Sequence, residues 1–190
     1  ITYSFISEQD EEMFGETLDT LRVENPISQN MAFMRTSLIS GLLNTFSYNF
    51  NHGQENQRLF EIGNTFKLQK NNKVIETKTV AGLMSGRLAP DNWNKKSTNA
   101  SFYDLKAVIN DLLSMFDSSY SLKECNKEFL HPGISASIHL KNKELGYMGA
   151  LQPRYLENLD LKQDILIFSL EINSLSKKPD SKFKSFSKFP

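Results

Sequence analysis

Leu38, Leu42, Phe46 and Phe50 recur at every fourth position, with Ile39 and Leu43 beside them. That spacing makes one broad apolar stripe, so residues 37–50 are predicted to form an amphipathic helix buried along that face. Thr36 stands where it can cap the helix, and Asn51, His52 and Gly53 end it. Gly41 lies inside and costs roughly 1 kcal/mol against alanine, which implies that something packs closely there. A second stripe runs through Phe102, Leu105, Ile109, Leu112 and Phe116, widened by Val108 and Leu113. Ser101 caps this helix, and Asp104 at its third position makes a short capping box. Two shorter helices are predicted, one headed by Ser7 with Glu8, Asp10, Glu11 and Glu12 in its opening turns, the other over Pro153–Leu159.

The remaining apolar positions follow a period of two or form short runs. Ile1–Ile6 reads as an opening strand, and Leu21–Ile27, broken by Glu24-Asn25-Pro26, as an extended connector. RLFEIGNTF (Arg58–Phe66) and VIETKTVAGLMSGR (from Val74) make a hairpin across a polar turn at Gln69–Lys73. Ile134, Ala136, Ile138 and Leu140 alternate with Ser135, Ser137 and His139, and pair with LGYMGAL around Lys141-Asn142-Lys143. Residues 89–100, with Trp93, are a polar loop. ILIFSLEI is the most apolar strand and is expected at the sheet centre. Hairpins and helices without regular strand–helix alternation predict an α+β fold, a mostly antiparallel sheet flanked by helices. Residues 1–176 form one core domain. Residues 177–190, with five lysines, one aspartate and no period, read as a linker.

Charge narrows the picture by exclusion. The 22 Lys and Arg balance the 22 Asp and Glu, so no overall positive field draws the chain onto nucleic acid. Cys125 is the single cysteine and can form no internal disulfide, which fits a reducing compartment; the cytoplasm is expected. No run of about 18 apolar residues marks a membrane span, and the first residues lack the order of a signal peptide. The chain reads as cut from something longer.

Glu61, set between Phe60 and Ile62, is the residue most in need of an explanation. With Asp104 it could form a carboxylate pair for acid–base work. The plainer reading turns Glu61 outward or toward Arg58 and leaves Asp104 as a cap, and it is favoured. His52 at a helix end, His131 before Pro132-Gly133 and His139 on a strand have no ligand spacing, so a metal site is not expected. Ser37 and Ser40 lack a G-x-S-x-G context. GLMSGR (Gly82–Arg87) is a weak echo of a phosphate loop lying in a strand. Cys125 has no evident activating base. Spacing alone yields a well-formed fold and no active site.

MRTSLISGLLNTFSYNFNHGQENQRLFEIGNTF (Met34–Phe66), FYDLKAVINDLL, HPGISASI, LGYMGALQPRYLENLDLK and the closing FKSFSKFP, in this order, resemble the β subunits of bacterial phenylalanine–tRNA ligases. The resemblance implies the catalytic-like module of that subunit, a relative of the class II aminoacyl-tRNA synthetase fold. It also implies where a working site would lie. An active module continues its motif 2 strand into an arginine, where this chain reads Gly63-Asn64-Thr65-Phe66-Lys67-Leu68-Gln69. Its motif 3 needs glycines and an arginine, where this chain has Leu170, Ile172 and Ser174. A site that stabilises a transferring phosphoryl-type centre cannot lose both arginines. The expectation is therefore a module with no catalytic, cofactor-binding or metal-binding residues. ATP and Mg2+ belong to the whole enzyme. Its expected partners are the catalytic α subunit, in an α2β2 enzyme, and tRNA(Phe) through that enzyme. Two alternatives are an independent enzyme using Glu61 and Asp104, and an RNA-binding module acting through the lysine-rich tail.

Overall fold

The chain begins its regular structure with a short strand, β1 (Phe5–Ile6), and a helix, α1 (Glu8–Phe14). The Asp10 N–H donates to Ser7 Oγ at 3.1 Å, so Ser7 caps α1 as its position predicts. Two more short strands follow, β2 (Leu21–Arg22) and β3 (Phe33–Met34), and the three make a small antiparallel sheet in the order β1-β3-β2. This is a computed structural model, and it describes residues 3–14, 20–69, 71–89, 93–94, 96–116, 119–173 and 175. The predicted linker at 177–190 and Ser174 lie outside the described residues.

Helix α2 (Ile39–Asn51) leads into β4 (Gln57–Leu68), β5 (Val74–Ser85) and α3 (Phe102–Ser114). After these come β6 (Tyr120–Lys123), β7 (Leu130–Leu140), β8 (Lys143–Leu151), α4 (Pro153–Asn158) and β9 (Ile165–Glu171). The six long strands form one sheet in the order β4-β5-β9-β8-β7-β6, every pair antiparallel. β9 lies inside the sheet, as its continuous apolar run predicts. Both hairpins turn on residues with positive φ, Asn72 (58°) and Lys141 (56°).

Strand alternation divides the sheet into two faces. Ala81, Leu83, Ile165 and Ile167 meet the stripe of α2, in which Ile39 and Phe46 are wholly buried. Full burial of a residue such as Phe46 contributes roughly 2–3 kcal/mol. Val80, Leu166, Phe168 and Leu170 point the other way and meet Leu105, Ile109 and Leu113 of α3. Gly82 is required there, because the Phe168 ring lies where a Cβ would stand. The β4 backbone is joined to the small sheet by the Phe66 N–H donating to the Arg35 carbonyl at 2.9 Å.

Three expectations change. α2 starts at Ile39 with Leu38 in the cap position, and Ser37 Oγ, not Thr36, accepts the Ile39 N–H at 3.2 Å. Thr36 is instead buried, and its hydroxyl donates to Glu11 Oε1 at 2.6 Å. Ile134 was placed on the inward phase of its strand, but a register shift between Leu130 and Ser135 leaves it exposed. The polar phase of β7 is also not a solvent face. Ser137 is buried, and its Oγ–H is within hydrogen-bond reach of the Glu124 carbonyl at 2.9 Å.

Candidate functional site

Glu61 faces inward, and its partner is Arg35. Arg35 Nη1 donates to Glu61 Oε1 at 2.6 Å, with the two side chains 8% and 10% exposed. Arg35 also donates from Nε to the Asn64 carbonyl at 3.0 Å and from Nη1 to the Tyr3 carbonyl at 3.3 Å. The guanidinium therefore ties the start of the chain, β3 and β4 together. Gly63 makes room for it, since a Cβ there would meet Arg35 Nη2. What packs near Gly41 is the same carboxylate, with Glu61 Oε2 3.9 Å from where a Cβ would sit. This corrects the expected outward or Arg58-facing Glu61. Arg58 points from the opposite face of β4 and donates to the Leu88 carbonyl. The single arginine in the apolar run MAFMRTSLI was the available signal for this pair.

A second inward carboxylate is Glu11, only 3% exposed and bound by the Thr36 hydroxyl. Its place among the acids of α1 hid it, because a helix head rich in acids reads as solvated.

Asp104 caps α3. Its Oδ2 accepts the Ser101 N–H at 2.9 Å and the Ser101 hydroxyl at 2.5 Å, completing the capping box. These two bonds, the hydroxyl's first, hold its carboxyl below the ordinary 3.8. Glu61 lies on the α2 face of the sheet and Asp104 heads the helix packed on the other face. They are not brought together.

The other candidates also stand apart. His52 Nδ1 lies 2.7 Å from the Tyr48 carbonyl at the end of α2. His131 Nδ1 accepts the Gly133 N–H at 3.1 Å, and His139 Nε2 is 3.1 Å from Ser137 Oγ. No three His, Cys, Asp or Glu side chains converge on a metal position among the described residues. Ser37 caps α2, and Ser40 is buried on it. Cys125 is buried, and that burial raises its thiol above the ordinary range, away from a reactive thiolate. Within GLMSGR, Gly86 turns the chain at φ +78°, where a Cβ would stand 2.5 Å from Asn56 Oδ1. The segment holds a neighbouring side chain closely and forms no phosphate cradle.

A cavity of about 480 Å³ opens on the α2 face, with Lys67 near the end of β4 and Glu171 at the end of β9 among its lining residues. Its floor carries Thr65 and Thr79, whose hydroxyls are 3.2 Å apart. Phe129 and Tyr147 meet edge to face at one wall, with ring centroids 5.4 Å apart, and the Lys127 ammonium sits 5.6 Å from the Tyr147 centroid. Four glutamates line it, Glu12, Glu128, Glu144 and Glu171, against Lys67 and Lys127. An excess of carboxylates repels a triphosphate, and among the described residues no arginine lines the cavity to clamp one.

Residues 1–172 match the family described as phenylalanyl tRNA synthetase beta chain CLM domain. Among curated proteins, the chain is 35% identical over 190 residues to the phenylalanine–tRNA ligase beta subunit of Hahella chejuensis. It is 32% identical over 189 residues to that of Neisseria meningitidis serogroup A. In both, the match takes in 100% of this chain and 24% of the relative, so the chain spans about a quarter of their length. Among solved structures, a pyrrolysyl tRNA synthetase from Desulfitobacterium hafniense superposes with a TM-score of 0.62 at 11% identity. That match covers 90% of this chain and 59% of the other, and shows a fold of the class II synthetase kind.

Proposed function

The chain belongs to the phenylalanyl-tRNA synthetase β-chain family, and from that premise we propose that it is a non-catalytic, synthetase-like module of the ligase. It supports assembly with the catalytic α subunit in an α2β2 enzyme, and so supports aminoacylation of tRNA(Phe) by the whole. ATP and Mg2+ are handled elsewhere in that enzyme.

The cavity against β4 and β9 carries this reading. In it four glutamates face two lysines, and no arginine lines it among the described residues. Catalysis of adenylate formation rests on fixed positive charge placed where negative charge develops. Here the local charge has the wrong sign. The hairpins, the two helix-packed faces and the Arg35–Glu61 tie remain, which suits a surface held in shape for other subunits.

The test is phenylalanine-dependent ATP–pyrophosphate exchange by the module alone. We expect no exchange above buffer. Robust turnover by the module alone would overturn the proposal.

A further inference from the structure

The Arg35–Glu61 pair forms the floor of a second cavity, of about 510 Å³, between α1, the start of α2 and β1. We propose that this cavity is an anchor pocket for a basic side chain, best an arginine, presented by a partner polypeptide. The proposal rests on the reading above that the module assembles with another subunit, and it names the surface.

Charge sets the choice of occupant. Arg35 is the one cationic side chain lining the cavity among the described residues, and it is spent on Glu61 and on two carbonyls. Asp10, at the wall, accepts hydrogen bonds from the Ser7 hydroxyl at 2.8 Å and the Asn44 amide at 3.2 Å. Both donors are neutral, so neither offsets its charge. Of the four acids of α1, which carries no Lys or Arg, Asp10 alone lines this cavity. With Glu61 balanced by Arg35, a cation entering here meets the Asp10 carboxylate, which repels an anion.

The pocket also has an unfinished polar contact. Ser40 borders it and is only 2% exposed, and its Oγ has no hydrogen-bond partner. Buried hydroxyls are ordinarily satisfied, and the exceptions mark places where a further group completes the network. A hydroxyl is able to accept a hydrogen bond from a guanidinium.

The rim supplies the third element. Tyr3 and Phe5 line the mouth and are 65% and 39% exposed. Exposed aromatic rings beside an acidic recess suit an arginine, whose stem packs on apolar surface while its planar head stacks or donates hydrogen bonds. Arginine and aromatic anchors in such pockets carry much of the affinity of protein interfaces.

The experiment uses the complete β subunit and its α subunit, with the dissociation constant between them measured by light scattering or mass photometry over a dilution series. Asn44→Arg changes an exposed side chain at the pocket mouth, so it places a guanidinium beside Asp10 and blocks entry without disturbing the core. It should raise the dissociation constant by ~10-fold or more, as loss of one anchor does. Asp10→Asn should weaken the complex less and flatten its salt dependence. Glu157→Arg, an exposed change on α4, should leave affinity unaltered. Unchanged affinity in Asn44→Arg, or an equal loss in Glu157→Arg, would overturn the pocket while leaving the assembly reading intact. Failure of the wild-type subunits to associate would overturn both.

Discussion

Single residues divide here into those that hold the fold and those that could react, and the first group takes almost all the unusual ones. The Arg35–Glu61 pair is the clearest case, because each charge is nearly out of water and each is tolerable only beside the other. Removing one partner leaves a buried charge unpaired. Arg35→Met or Glu61→Gln should therefore lower unfolding stability by ~3–5 kcal/mol, whereas replacing both with apolar residues should cost much less than the sum. Denaturant titration of the single and double variants checks this. Equal and additive losses would mean the pair contributes nothing jointly.

Asp104 is a smaller case with a sign that can be worked out. Its folded carboxyl titrates below the ordinary 3.8, chiefly through the Ser101 hydroxyl. Its contribution is thus complete above that value and lost as pH falls through the lower folded one. Asp104→Ala should cost about 1 kcal/mol at neutral pH, as lost caps do. In thermal melts, the gap to wild type should close in acid below pH 3.8. Cys125, buried with its thiol pushed upward, should alkylate in the native state far more slowly than in the unfolded chain, as timed labelling would show.

At the scale of elements, the long periodic segments were legible and the short ones were not. α2 and α3 bury the stripes that their spacing marks, because a helix with one apolar face has one way to satisfy it. Val108 is the exception, partly exposed at the edge of the α3 stripe where packing runs out. β9 also follows its pattern, whereas β4 exposes Phe60 and Ile62 and turns Glu61 inward, and a register shift in β7 exposes Ile134. β2 and β3 span two residues each, too few for any period, and they form only by pairing with distant residues. The site was half legible. Absent arginines can be read from a strand end, but the partner of Glu61 lies 26 positions away and depends on tertiary packing. One element-level test concerns β5. Gly82→Ala places a methyl group where the Phe168 ring lies, and overpacking of this kind costs ~1–3 kcal/mol, measurable by denaturant midpoint.

For the whole molecule, the sheet and its two packed faces match the class II synthetase plan, while the cavity against β4 and β9 carries four glutamates against two lysines. The fold rests on apolar faces and on the buried Arg35–Glu61 pair, none of which requires a nucleotide. The central claim is that this cavity takes no part in adenylate formation. The most direct measurement is the phenylalanine-dependent ATP–pyrophosphate exchange rate of the assembled two-subunit ligase carrying Lys67→Ala and Glu171→Gln together. Both side chains line the cavity and neither is buried in the core. The account predicts an exchange rate within about twofold of wild type. A fall of ~100-fold or more, the loss expected when a group that stabilises a transition state is removed, would contradict it.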